Sequence, residues 1–395
     1  MGVKKKIFFV IETLGVGGAE RSLLNLLQSL DYSKFEVSLQ LFNLNGILVS
    51  QIPTQVVILP LPDIINLLNK NPKRIVNHPL ILLKKFVYSL LVRFFRISHA
   101  GKAVLYWSLF ESALKKNTQF YDIAIGYSQG IPTFYVIDKI RATKKFVWVN
   151  VDYKISGITK IYQSKYYKKA TGIVTVSPFV KNFFSLTIFP DLYGKMKVIR
   201  DLIIPENIEK MASLPSDTCL KKDKIVIMTA GRLNKPQKGY DLAIEAAKIL
   251  YDRGMKFRWY VVGEGPFRFE MENLIREYGL EENFILLGAT SNPYAYMGQC
   301  DLYVQPSRHE GFGLTIAEAL ILNKPVICTN FEGCTMQMIH KKNGLITSFN
   351  PEDIAKAIEL LINDKTLRSY INEFICNSKK GNIEELDKFY KLLEF

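Results

Sequence analysis

Residues 302–318 read Leu-Tyr-Val-Gln-Pro-Ser-Arg-His-Glu-Gly-Phe-Gly-Leu-Thr-Ile-Ala-Glu. The short run Leu302 to Gln305 predicts a strand, the glycines Gly311 and Gly313 a loop, and the apolar residues from Leu314 to Leu322 a helix. Strand, glycine loop and helix in that order are the repeating unit of a parallel α/β sheet. Two carboxylates, Glu310 and Glu318, stand eight residues apart across the unit. Glu310 falls in the loop and Glu318 in the early helical turns, so both can face one cleft. Gly311 and Gly313 let backbone N–H groups approach an anion, toward which the helix N-terminus adds about half a positive charge.

The same rhythm continues outward in both directions. In the second half, strands are expected at Ile225 to Ala230, Phe257 to Val262, Phe284 to Leu287 and Pro325 to Thr329. Helices are expected near Gly239 to Gly254, Phe267 to Gly279 and Glu352 to Ile362. The first half predicts strands at Lys6 to Ile11, Glu36 to Phe42, Tyr121 to Gly126, Lys145 to Val149 and Gly172 to Val176. A chain of 395 residues is too long for one core. The polar stretch Asp201 to Lys224, marked by Pro205 and Pro215, sets a boundary. The expectation is α/β: two Rossmann-like domains, 1–205 and 206–380, with parallel sheets facing across a cleft, and a C-terminal helix in 381–395 packing back on the first.

Composition narrows the function classes. The net charge of +15 is densest between Lys70 and Lys116 and points to an anionic partner. No recognition helix, zinc-finger spacing or stacking strand favours nucleic acid, so none is expected. The five cysteines are widely spaced without a CxxC pair, which suits reduced thiols in a cytoplasmic protein. The four histidines are scattered, and no metal site is expected. Met1 to Lys6 leads into a strand without a long apolar stretch or cleavage site, so no signal peptide is read. Pro79 to Ile97 is apolar, but Lys84, Lys85, Arg93 and Arg96 disqualify it as a membrane span. From Ile81 to Ile97, Leu83, Phe86, Val87, Leu90 and Phe94 fall on one side of a helix, with Lys85, Arg93 and Arg96 opposite. That pattern fits either peripheral contact with the inner face of the cell membrane or a core-facing helix with a solvated basic edge.

Ala230-Gly231-Arg232-Leu233, followed by Lys238-Gly239, repeats the strand–loop–helix setting. Cleaving a nucleotide-sugar bond leaves a diphosphate whose growing charge needs stabilising, and Arg232 and Lys238 are the cations at hand. Glu310 and Glu318 can then hold sugar hydroxyls and a ribose; the bland alternative is a loop glycine pair with a surface glutamate. No two aspartates form the Asp-x-Asp pair that would hold a divalent ion. Metal-independent chemistry is expected, with no cofactor. The loop Gly15-Val-Gly17-Gly18-Ala-Glu-Arg can approach phosphate, but it departs from the dinucleotide fingerprint and lacks its later acidic residue, which disfavours a dehydrogenase.

Together, Gly17-Gly18-Ala19-Glu20-Arg21, Gly231-Arg232 with Lys238-Gly239, Val262-Gly263-Glu264-Gly265-Pro266 and Glu310 to Glu318 resemble the family 4 retaining glycosyltransferases over nearly the whole chain. The resemblance implies a GT-B fold and a UDP-dependent hexosyl- or N-acetylhexosaminyltransferase extending a cell-surface glycan. It implies Glu310, Arg232 and Lys238 as catalytic residues. Glu318, Gly311, Phe312, Gly313, Leu314, Thr315, Gly263 and Gly265 would bind the donor. Gly17, Gly18, Asn150 and Asp152 would face a glycan acceptor, which could be linked to polyprenyl diphosphate. Asn150 stands where relatives often carry histidine, and Asp201 where asparagine is usual. The first departure keeps open a catalytically impaired, nucleotide-sugar-binding partner of another transferase. A third reading is another GT-B enzyme, an epimerase or a phosphorylase. His309 is read as structural.

Overall fold

The structure, a computed structural model, describes residues 3–69, 78–95, 97–150, 155–216, 218–235 and 237–394. Asp152, Arg96 and Lys70, singled out above, lie outside them. The chain forms two compact units: residues 1–15, 19–200 and 388–395, and residues 16–18 and 201–387.

The first unit is a seven-stranded sheet with strands β1 (Lys5–Ile11), β2 (Phe35–Leu41), β3 (Val56–Ile58), β4 (Phe120–Gly126), β5 (Arg141–Val149), β6 (Gly172–Thr175) and β7 (Met196–Val198). Their order is β3-β2-β1-β4-β5-β6-β7, and every pairing is parallel. Phe389, on the helix Glu384–Glu394, stacks on Phe9 at 6.3 Å, and Tyr390 stacks on Phe35 at 5.7 Å.

The second unit has strands β8 (Ile225–Ala230), β9 (Phe257–Val262), β10 (Phe284–Gly288), β11 (Leu302–Gln305), β12 (Val326–Thr329) and β13 (Gly344–Thr347), in the order β10-β9-β8-β11-β12-β13. Its strands read as continuous apolar runs because both faces are covered. Ile227, Trp259, Val261, Leu302, Val304 and Ile327 join a core against the helices Tyr240–Asp252, Arg268–Glu277 and Pro351–Asn363. Their neighbours Val226, Met228, Tyr260, Val262, Tyr303 and Val326 point the other way, toward Ile316 and Ala319 of the helix Leu314–Ile321. This period of two is the strand geometry itself. A short buried polar chain crosses the sheet: Trp259 Nε1 donates to Thr229 Oγ1 at 2.9 Å, and that hydroxyl donates to the Val304 carbonyl at 2.8 Å.

The two edge strands of the first unit, β3 and β7, and the outer β13 of the second are additions to the strands expected from sequence. The helix expected over 81–97 runs from Pro79 to Phe94, but the core-facing version of it is overturned. It buries none of its residues; Leu83, Phe86, Leu90 and Phe94 are exposed, and Arg93 is exposed with them rather than set apart.

Candidate functional site

In the second unit, chain order reverses between β8 and β11, which lie side by side but are followed by strands running outward in opposite directions. Loops at the carboxyl ends of strands flanking such a reversal splay apart and leave room for a ligand. The loop after β8 carries Gly231, Arg232 and Lys238, and the loop after β11 carries Ser307, Glu310 and Gly313.

Backbone contacts lock these loops together. Gly239 sits at φ +64°, and a Cβ there would collide with the Pro306 carbonyl oxygen, so only glycine lets the two loops touch. Gly263 and Gly265 do the same on the other side. A Cβ on either would overlap the carbonyl oxygen of Gly231 or Leu233. Gly231 N donates to Val262 O at 2.9 Å and Leu233 N to Glu264 O at 2.9 Å.

Lys238 Nζ reaches Glu310 Oε1 at 2.8 Å and Oε2 at 3.1 Å, joining the two loops through a largely buried ion pair. Glu310 Oε1 also accepts from Ser307 Oγ at 2.6 Å and Gln305 Nε2 at 2.9 Å. Gln305 is held in turn: its Oε1 accepts from Tyr303 OH at 2.8 Å and Thr315 Oγ1 at 2.9 Å, while Nε2 also donates to Ser307 Oγ at 2.7 Å. All the amide's hydrogen-bonding capacity is thus engaged, which fixes both its orientation and the carboxylate beyond it. The buried Tyr240 hydroxyl donates to Gly231 O at 2.8 Å. Burial first, then the nearby Tyr303 and Glu310, pushes its pKa well above the ordinary value, so it stays a donor.

Beside this pair, Arg308 grips Asp241 with two hydrogen bonds, at 2.8 and 2.9 Å. Burial tends to raise the Asp241 carboxyl, but the hydrogen bond and charge of Arg308 outweigh it and hold the group below its usual range. Glu318 is buried, and its Oε1 accepts from Tyr294 OH at 2.8 Å. Gly311, Phe312, Gly313 and Leu314 are buried and Thr315 half-buried. Gln337 Nε2 donates to the carbonyls of Phe312 and Gly313. Arg232 is exposed. His309 is exposed too, and its carbonyl accepts from Gln237 Nε2 at 3.4 Å.

The structure therefore brings Glu310, Lys238 and Thr315 into one network, with Gly263 and Gly265 in its frame. Glu318 stands on the helix that follows. Gln305, Ser307, Tyr303, Asp241 and Arg308 complete the site and were not among the residues expected. Gln305 did leave a trace, as a polar residue ending an otherwise apolar strand. Gly17 and Gly18, in the short stretch 16–18 that groups with the second unit, lie at the turn from β1 into the helix Gly18–Ser29. Asn150 follows β5; its Nδ2 donates to Tyr127 O at 2.8 Å, its N–H to Gln129 Oε1 at 3.2 Å, and its buried Oδ1 accepts no hydrogen bond from the described residues.

Residues 213–377 match the family described as glycosyl transferases group 1. That match falls within the second unit and covers fewer than half of the chain's residues. The chain is 25% identical across 298 residues to an uncharacterized glycosyltransferase of Methanocaldococcus jannaschii, MJ1059, covering 65% of this chain and 73% of that one. It is 31% identical across 189 residues to the N-acetylgalactosamine-N,N'-diacetylbacillosaminyl-diphospho-undecaprenol 4-alpha-N-acetylgalactosaminyltransferase of Campylobacter jejuni, covering 47% of this chain and 49% of that one. Thus the match spans only about half of the second relative. Among solved structures, HepE of Anabaena in complex with UDP and glucose superposes with a TM-score of 0.66 at 17% identity, covering 99% of both chains. A glycosyltransferase from Rickettsia africae gives 0.65 at 21% identity, covering 99% of this chain and 98% of that one. The fold is GT-B: two parallel-sheet, Rossmann-like α/β units.

Proposed function

We propose that this glycosyltransferase moves a hexose or N-acetylhexosamine from a UDP-sugar to a hydroxyl of a glycan acceptor, with retention at the anomeric carbon and without a metal ion. The observation that carries the reading is the Lys238–Glu310 pair across the strand-order reversal, held by Gln305 and Ser307. The anomeric C–O bond breaks, its electron pair leaves on the diphosphate oxygen, and the acceptor hydroxyl forms the new C–O bond while passing its proton to that departing oxygen. Two of the three ammonium protons of Lys238 are engaged by Glu310; the third is available to the diphosphate. Arg232 adds a second cation, and the N-terminus of the helix Leu314–Ile321 adds a partial one. Glu310 accepts from sugar hydroxyls and Glu318 from the ribose.

UDP is favoured because the fold's neighbour HepE holds it. A lipid-diphosphate-linked acceptor, in cell-surface polysaccharide synthesis at the inner membrane face, is suggested by the name of the Campylobacter relative. The acceptor would meet the loop at Gly17 and Gly18 and the region of Asn150. That asparagine motivates a second reading, an impaired partner that binds donor but does not turn it over.

The test is melting of the purified protein with UDP, GDP, ADP and NAD in EDTA, followed by UDP-sugar turnover. A ligand at about a hundred times its Kd adds roughly 2.7 kcal/mol. A shift selective for UDP is expected, and Glu310→Ala should lower turnover about a hundredfold or more. No shift with any nucleotide, or undiminished turnover in the variant, removes this reading. A UDP shift without turnover by the purified chain favours the impaired partner.

A further inference from the structure

From Ile64 to Phe110 the chain holds eight lysines and arginines and no aspartate or glutamate. More than half of the protein's net charge of +15 therefore comes from this one stretch. Within it lies the helix Pro79–Phe94, which buries none of its residues. Leu83, Phe86, Leu90 and Phe94, spaced three and four apart, form one stripe and are 58%, 63%, 43% and 71% exposed. Leu80 and Phe95 extend the stripe at 64% and 62% exposure.

The opposite side faces its own unit with Ile81, Lys84, Lys85, Val87, Tyr88 and Leu91 half-buried. Lys84 Nζ donates to Ser112 Oγ at 3.2 Å, Lys85 Nζ to Leu68 O at 3.1 Å, and Tyr88 meets Tyr106 edge-on at 5.8 Å. An ordinary surface helix buries its apolar stripe and wets its charges. Here the largest apolar side chains are exposed while Lys84 and Lys85 are half-buried. A contiguous exposed apolar stripe of this kind marks an interaction surface.

We propose that this exposed apolar face docks on an anionic phospholipid bilayer, the leucines and phenylalanines entering the headgroup boundary while Arg93, exposed beside them, meets the lipid phosphates. No helix among the described residues is long and apolar enough to cross a membrane, so the helix lies in the interface plane. A second copy of the chain is the poorer occupant. A two-fold contact would press two surfaces of the same positive charge together. Docking stands independently of the transferase reading; its use in meeting a lipid-linked acceptor rests on it.

The experiment is co-sedimentation of the full chain with vesicles of phosphatidylcholine alone or mixed with phosphatidylglycerol, at low and high salt. The parent is compared with Phe86→Ser/Leu90→Ser, and each protein's solution mass and UDP-induced melting shift are measured alongside. The expected result is binding to the mixed vesicles only, reduced at least about tenfold by the double substitution and by high salt, with the parent's melting behaviour kept. Failure of the parent to sediment with mixed vesicles, equal binding to neutral ones, or equal binding by the variant would overturn the proposal. So would a parent dimer that the substitutions dissociate, which would name a second copy as the occupant. Vesicle binding without any UDP shift would leave docking in place and remove the transferase reading instead.

Discussion

Lys238→Met removes the one cation on Glu310 and leaves the carboxylate with only the neutral donors Gln305 and Ser307. Breaking a fully buried pair from one side costs about 3–5 kcal/mol, because the remaining charge is desolvated and uncompensated. Side-chain exposures of 17% for Lys238 and 10% for Glu310, together with the two surviving donors, bring the expectation down to about 2–3 kcal/mol. That corresponds to a drop of roughly 4–12 °C in the melting temperature of a unit this size. Glu310→Gln should cost less, about 1 kcal/mol, because a long lysine can swing toward water while a short carboxylate cannot. The double variant removes both charges and should be more stable than Lys238→Met alone. Urea unfolding of the parent, both single variants and the double gives the coupling energy directly. If Lys238→Met matches the parent, or if the double variant is no better than Lys238→Met, the ion pair does not organise these loops.

Gly239→Ala should destabilise by about 2–4 kcal/mol, since the left-handed backbone and the Pro306 carbonyl both oppose a Cβ; a parent-like urea midpoint would deny the contact between the loops. Gln305→Leu should cost about 2–3 kcal/mol by leaving Glu310, Tyr303 and Thr315 short of partners. It should lower turnover more than UDP affinity, and equal losses in both would count against a role in orienting the carboxylate. Asp241 is held below its ordinary value by Arg308, so its contribution is full above that value and fades as pH falls through the lower, folded one. The stability gap between the parent and Asp241→Asn should be level from about pH 7 to 5 and shrink below about pH 4. A gap unchanged at pH 3 would refute the pairing.

The long strands were legible because each is an apolar run closed by turn residues; Ile225–Ala230, Phe257–Val262 and Leu302–Gln305 match residue for residue. Val56–Ile58, Met196–Val198 and Gly344–Thr347 were not. Three or four residues carry too little periodicity to stand out, and their identity as strands comes from a neighbour already in the sheet. At the site, Glu310 and Lys238 could be named from their loops, but their salt bridge spans 72 positions and exists only once β8 lies beside β11. The Asp241–Arg308 grip was invisible for the same reason. The helix Pro79–Phe94 shows the converse: periodicity found its stripe, but periodicity has no sign, and only contacts tell which side of a helix faces water.

The loop frame of the second unit is joined by glycines set against main-chain carbonyls, at Gly239, Gly263 and Gly265. Such joints do not depend on what the intervening side chains are. Exposed residues such as His309 can therefore be exchanged over evolutionary time without moving the scaffold that places Lys238 and Glu310. A lineage can explore new sugars by changing the lining of the site while its charge-handling centre stays in register. The corollary is uneven tolerance: variation should be rich at the lining and nearly absent at the three glycines.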